Sequence, residues 1–347
     1  MKAAEQLVGV KLDGGWTVKE RLAQQPSSGG TFSIPYLVEN ADGETHFLKA
    51  FDFSDAFAAA DVLKALASLV NVFEHERDIL DVCKGRRMSN VVTAVTYGTV
   101  ALPGMSAPEG TVYYLIFELA TSDVRSQVDT KKRLDPLTCA KILNDISLGL
   151  WQVHRVGIAH QDGKPSNVLI YGDGKHKLAD FGRASRQGRA VWFDNKDVAG
   201  DYTYAPPEQL YSYIHGDYVV RRVGCDMYLL GNLAAFLFSG INITEAIFAR
   251  LDPQFHPGTW GGTYENVLPM LMNAFDDVMQ DMAKEIDPRV KDDVLKVVHE
   301  LCNPDLKERG HPRGVGKHDQ YSLQRYKSYF DLMVKRTAIA MRTSNAA

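Results

Sequence analysis

Between Asn167 and Asp180 the chain reads Val168-Leu169-Ile170-Tyr171, then Gly172-Asp173-Gly174, then Lys177-Leu178-Ala179. An apolar run, a turn built of Gly and Asp, and a second run that returns make a β-hairpin. A hairpin brings its two ends together, so Asn167 and Asp180 are predicted to be neighbours. The stretch leading into it, His160-Gln161-Asp162-Gly163-Lys164-Pro165-Ser166-Asn167, sets a carboxylate, an ammonium and an amide close together. An amide oxygen beside a carboxylate is the hard-oxygen pair that Mg²⁺ takes when it also holds phosphates. Asp162 stands just ahead of the hairpin, placed to accept a proton from an incoming hydroxyl.

A His-x-Asp-x-x-x-x-Asn pattern arises by chance in many chains, and Asp180-Phe181-Gly182 alone says little. In this order, across a strand, a turn and a strand, the two together are specific. The arrangement resembles the eukaryotic-type protein kinase family, serine/threonine kinase-like. That family's catalytic loop reads His-Arg-Asp, with Lys two and Asn five residues after the Asp, and its Asp-Phe-Gly follows a hairpin. The resemblance covers roughly Trp16 to Pro312. It implies an α+β, bilobal fold: a five-stranded small lobe with one main helix, and a mostly helical large lobe. The expected parts are an ATP-binding lobe over 1–118, a catalytic and substrate lobe over 119–318, and a C-terminal helix and tail over 319–347.

Composition agrees with a globular protein of one large or two medium domains: 347 residues, 45% hydrophobic and 24% charged. A net charge of -4 gives no sign of a nucleic-acid surface. Cys83, Cys139, Cys225 and Cys302 lie far apart with no metal spacing, which suits a reduced, cytoplasmic protein. No signal peptide and no long apolar span is read, so no membrane association is expected and a receptor kinase is disfavoured.

Taken in order, Trp16 to Leu22 alternates like a strand. Gln24 to Ser33 is rich in small residues that would let backbone N–H groups approach phosphates. The family's loop reads Gly-x-Gly-x-Phe-Gly; here Gly30 and Phe32 fit, Gly29 lies beside them, and Ser28 and Ser33 stand where glycines are usual. The next strands are Ile34 to Glu39 and Thr45 to Phe51. Lys49 is either a strand-end lysine reaching solvent or, as the resemblance implies, the lysine on the α- and β-phosphates, braced by a helix glutamate. Phe47 stands where the family has Ala on the adenine face, so it must stack on the base, turn aside or narrow the pocket. Helical spacing from Ser54 to Lys84, capped by Ser54 or Asp55, ends in Glu74 and Glu76, of which Glu76 has the family's spacing. Val91 to Val100 and Thr111 to Phe117 complete five strands. By resemblance Phe117 is the gatekeeper, backbone groups near Glu118 and Ala120 face adenine, and Asp123 binds ribose or caps a helix.

Leu143, Ile146, Leu150 and Val153 form a helix face that stops at Gly157. After Asp180 comes a polar segment, in the family the activation segment, closing with Gly200-Asp201-Tyr202-Thr203-Tyr204-Ala205-Pro206-Pro207-Glu208. Gly200, Tyr204, Pro207 and Glu208 match the family's ending. Asp201 replaces a threonine that bonds the catalytic Asp and Lys. It is placed to bond Lys164, and an added carboxylate beside Asp162 is expected to disfavour ionisation of both. Asp226 opens a helix apolar almost all round, the mark of a buried helix. The resemblance gives its carboxylate the task of pinning the catalytic loop, and pairs Arg309 with Glu208. The last helix, about Gln320 to Met341, sets Tyr326, Phe330 and Met333 on one face.

What the resemblance implies for function is phosphoryl transfer from ATP, with Mg²⁺, to a Ser/Thr hydroxyl of a protein substrate. Asp162 and Lys164 would be catalytic, Asn167 and Asp180 would hold the metal, and Lys49, Glu76, Gly29, Gly30, Glu118, Ala120 and Asp123 would bind nucleotide. Autophosphorylation is left open, and the oligomeric state is not legible. Gln161 replaces the arginine that in many family members binds an activation-segment phosphate, so activity is expected not to need phosphorylation of Ser185, Tyr202, Thr203 or Tyr204 through this residue. Two rivals stand beside this reading: a small-molecule kinase of the aminoglycoside type, and a nucleotide-binding scaffold without activity.

Overall fold

The computed structural model describes residues 2–23, 33–128 and 133–344. The chain forms two compact units, Met1–Thr121 and Ser122–Ala347.

The first unit is an antiparallel sheet in the order β1-β2-β3-β4-β6-β5, built from β1 (Lys11–Leu12), β2 (Trp16–Arg21), β3 (Ser33–Glu39), β4 (Thr45–Phe51), β5 (Ala94–Ala101) and β6 (Thr111–Glu118). The five expected strands are present. The sixth, β1, is too short to show a period. Alternation assigns the two faces. Val18, Tyr36, Val38, Leu48, Ala50, Tyr114 and Ile116 form one core with Ala3, Ala4, Leu7 and Trp16. The N-terminal residues thus cover that face, and Tyr36 Oη is tied to the Ala4 carbonyl at 2.7 Å.

The other face receives helix α1 (Val62–Gly85) through Phe73, whose ring centroid lies 5.1 Å from both Phe51 and Tyr113. The helix starts later than its spacing suggested. Ser54–Ala58 is a separate 3₁₀ turn, and Asp61, rather than Ser54 or Asp55, caps α1 by accepting the Lys64 N–H at 3.0 Å.

The second unit is mostly helical. After β7 (Ser122–Asp123) come α2 (Val124–Gln127) and α3 (Pro136–His154), the latter started by Asp135 and a proline at its first position. Short strands β8 (Ile158–Ala159), β9 (Val168–Ile170), β10 (His176–Leu178) and β11 (Ser185–Arg186) carry the loops of interest. Then follow α4 (Pro207–Leu210), α5 (Gly224–Ser239), α6 (Ile243–Phe248), α7 (Tyr264–Glu285), α8 (Lys291–Cys302) and α9 (Gln324–Ser344).

Helix α5 is the core of this unit, buried nearly all round as its composition predicts. Gly231 lets α8 approach closely: a Cβ there would lie 2.6 Å from Cys302 Sγ. Helix α9 packs on α3 and buries Tyr326, Phe330 and Met333, the face read from the sequence. Among the described residues no helix is long and apolar enough to cross a membrane.

Candidate active site

The hairpin forms as expected, with Val168 paired to Leu178 and Ile170 to His176. Its ladder continues one step past the strands, where Ala179 N–H donates to Asn167 O at 2.9 Å. That bond draws Asn167 and Asp180 to the mouth of the hairpin. Asp180 has φ +64, in the left-handed region that is uncommon for residues other than glycine.

The loop ahead of the hairpin is fixed from below by Asp226 of α5. Its buried carboxylate accepts the backbone N–H groups of His160 at 2.8 Å and Gln161 at 2.6 Å, and lies 2.7 Å from His154 Nε2. Gln161 is also left-handed, at φ +64. Two such residues around one loop mark a place where surrounding bonds hold an unfavourable backbone in position. His160 is fully buried, and burial holds its imidazole below the ordinary value. The neutral ring places Nε2 3.0 Å from the Ala179 carbonyl and accepts the Asp162 N–H on Nδ1 at 3.2 Å, which assigns the proton to Nε2.

Asp162 is held from three directions. Asn167 Nδ2 donates to its Oδ2 at 2.9 Å, the backbone N–H of Asp201 donates to its Oδ1 at 3.1 Å, and Lys164 Nζ lies 3.6 Å away. Only 6% of Asp162 is exposed. Burial pushes its carboxyl up; Lys164 and the Asn167 bond oppose this, while the charges of Asp180 and Asp201 add to it, and the result is about 7. The expectation for Asp162 therefore holds. For Asp201 it does not. Burial raises that carboxyl too, but Thr203 N–H and Oγ1 at 3.0 and 2.8 Å, and Lys164 at 3.1 Å, outweigh it and leave Asp201 below its ordinary value.

In the first unit, Lys49 Nζ reaches both oxygens of Glu76, at 2.8 and 2.9 Å. Strand alternation explains it: Lys49 projects from the face on which α1 packs, and Glu76 is the buried glutamate there. Phe47, two residues away on the same face, lies against Phe117 with ring centroids 6.3 Å apart. Glu118 is exposed at the end of β6 and Ala120 is half-buried. Asp123 accepts Ser126 N–H at 2.9 Å and caps α2. Gly29 and Gly30, with Ser28 and Phe32, lie outside the described residues.

The end of the segment after Asp180 is anchored by a fully buried ion pair. Arg309 donates to Glu208 through two parallel bonds of 2.7 and 2.8 Å, and its Nε donates to the Asn303 carbonyl at 2.9 Å.

Residues 67–320 match the protein kinase domain family. The chain belongs to that family. Among its curated relatives are a probable serine/threonine-protein kinase of Dictyostelium discoideum, 26% identical over 44% of this chain and 21% of its own length, and Aurora/IPL1-related protein kinase 2 of Caenorhabditis elegans, 25% identical over 59% of this chain and 61% of its own. A serine/threonine-protein kinase of Arabidopsis thaliana is 27% identical over 44% of this chain and 32% of its own length. The matched stretch thus spans about a fifth to three fifths of these relatives.

The kinase-domain match begins inside α1 and does not include Lys49. Two further residues of this kinase domain, Arg222 and Asp194, carry no signal in the sequence. Arg222 Nη1 donates to Gln161 Oε1 at 2.6 Å, and its Nη2 lies 2.9 Å from Asp194 Oδ1. No motif signals them, because the bonds join residues far apart in the chain.

Proposed function

We propose that this kinase domain transfers the γ-phosphoryl group of ATP to a serine or threonine hydroxyl of a protein. One observation carries the reading: Asp162, buried, pressed up to about 7 and clamped by Asn167 and Lys164 on a loop pinned by Asp226. A general base works best with a pKa near the operating pH.

Asp162 takes the proton of the acceptor hydroxyl as its oxygen bonds to the γ-phosphorus. The bond from that phosphorus to the bridging oxygen breaks, and its electron pair leaves with ADP. Lys164 offsets charge on the moving phosphoryl group. Lys49, held by Glu76, binds the α- and β-phosphates. The protein's contribution is positioning and charge, since this reaction asks little covalent work of it.

The donor set at the hairpin mouth fits Mg²⁺. Asn167 commits its amide nitrogen to the Asp162 carbonyl at 2.8 Å and carboxylate at 2.9 Å, so its oxygen is the atom it offers a cation. Asp180 supplies a carboxylate, giving the hard oxygens that Mg²⁺ prefers. When bound, the ion would neutralise phosphate charge.

The Glu208–Arg309 pair favours a protein acceptor over a small one, because in the family this segment builds a peptide-docking surface. The Lys at position 164 favours serine and threonine over tyrosine. The test is incubation with labelled ATP and Mg²⁺, with and without a generic protein acceptor. Label on protein supports the reading; label only on small metabolites supports the aminoglycoside-type alternative. Binding without turnover supports the scaffold. Asp162→Ala should lower transfer by about 10²–10⁴-fold.

A further inference from the structure

Arg222 is 3% exposed and sits in the turn that leads into α5, a place where a guanidinium is costly unless fully bonded. It divides its fork between two elements: Gln161 Oε1 of the catalytic loop at 2.6 Å, and Asp194 Oδ1, midway between Asp180 and Glu208, at 2.9 Å. Gln161 extends the chain, its Nε2 donating to Arg183 O and Ser185 Oγ at 3.0 Å each. Arg221 adds to the same grip through bonds to the carbonyls of Asp194 at 2.7 Å and Lys196 at 3.1 Å. Asp194 itself closes a turn by accepting Val191 N–H at 2.8 Å. A continuous run of bonds therefore joins Asp226, the backbone beside Asp162, and the middle of the activation segment.

We propose that Arg222 is a positioning residue for phosphoryl transfer, holding the activation segment on the catalytic loop through Asp194 and Gln161, with the Asp194 carboxylate supplying the negative charge that this clamp requires. The proposal rests on the phosphotransfer reading above. The segment's order is built in and needs no added phosphate. Two of the four hydroxyls considered for modification agree with this: Ser185 and Tyr204 are buried, and Ser185 Oγ is already an acceptor for Gln161.

The experiment compares wild type, Arg222→Gln, Asp194→Asn and Asp194→Glu in the full chain, after phosphatase treatment. The Asp194 side chain is 41% exposed, and Asp194→Asn keeps its shape and an oxygen that can accept from Arg222, so it disturbs the fold less than Arg222→Gln. Hydrogen exchange over residues 186–199 should rise in Arg222→Gln and Asp194→Asn and stay near wild type in Asp194→Glu. For a protein acceptor, kcat/KM should fall about tenfold or more in the first two, the scale of one lost charge-assisted hydrogen bond. Asp194→Glu should recover most of it, with KM for ATP unchanged throughout. Unchanged exchange in Asp194→Asn would overturn the clamp whatever the activity, and so would inactivity of the dephosphorylated wild type that loop phosphorylation restores. If wild type transfers no phosphate under any phosphorylation state while exchange responds as described, the clamp stands and the reaction assigned to the site falls.

Discussion

Lys164 Nζ lies 3.1 Å from Asp201 Oδ2, closer than the 3.6 Å that separates it from Asp162 Oδ2. The ammonium is shared between two acids, and the acid it grips more closely is not the proposed base. Asp201, held below its ordinary value, is ionised throughout the neutral range, and its charge helps keep Asp162 at about 7. Only about half of Asp162 is then in the base form at pH 7. The acidic limb of kcat/KM, which reports the free enzyme, should fall near pH 7. Asp201→Asn removes one negative neighbour and frees Lys164 for Asp162, so the limb should move to lower pH, by up to about 1 unit. A pH–rate profile of both proteins checks this; a limb that stays in place would show that Asp201 does not tune the base.

The same shift has a consequence for stability. In the unfolded chain Asp162 titrates near 3.8, and in the folded chain near 7. Between these values the folded state binds the extra proton, so wild type loses stability as pH rises through that window, and the loss is complete above about 7. Asp162→Asn carries no charge to bury and can still accept from Asn167. Its Tm should exceed that of wild type at pH 8, and the gap should shrink toward pH 5, with ~2–4 °C for each kcal/mol in a unit of this size. Thermal melts across pH measure it. A gap that widened on acidification would reverse the assigned direction.

The loop and hairpin were legible because they are local: a turn of Gly and Asp between apolar runs has one closure, and closure places Asn167 beside Asp180. Glu76 was legible only through the family's spacing, and the α9 face through Tyr326, Phe330 and Met333. What the sequence hid is tertiary. Asp52 accepts the Ser54 N–H at 3.0 Å and pairs with Lys2 fifty residues earlier, which holds the chain in a 3₁₀ turn and delays α1 until Asp61. Arg222 finds Gln161 and Asp194 only once α5 is in place. Asp201 departs from expectation for a different reason. Counting charges alone omits its bonds to Thr203, two residues on, a local turn that the Asp-x-Thr spelling does allow.

Glu208 and Arg309 form the most deeply buried ion pair described, with the arginine fully enclosed. Removing one partner leaves an uncompensated charge in a dry site, so Arg309→Met should cost about 3–5 kcal/mol. Removing both charges leaves no such penalty, and Glu208→Gln with Arg309→Met should be less destabilised than the sum of the two single changes by about 1–3 kcal/mol. Denaturant unfolding of the four proteins supplies the cycle. Additive losses would mean that the two groups stabilise the segment independently.

Gly200 sits where the returning segment crosses the catalytic loop. A Cβ there would lie 2.3 Å from the Gln161 carbonyl oxygen, 2.8 Å from Asp162 Oδ1 and 3.2 Å from Asp162 Cα. Two of these obstacles are backbone, and the loop is pinned by Asp226, so no rotamer change relieves the contact. Gly200→Ala should displace Asp162 against Asn167 and Lys164. Overpacking of this kind costs about 1–3 kcal/mol of stability, and a misplacement on the order of 1 Å at a reacting group costs about 10²-fold in rate. The loss should fall on kcat, because Lys49 and Glu76 belong to the other compact unit. Gly258→Ala, whose Cβ meets nothing within 4 Å, serves as the control and should match wild type. Full turnover in Gly200→Ala would mean that the segment can leave the loop without disturbing Asp162.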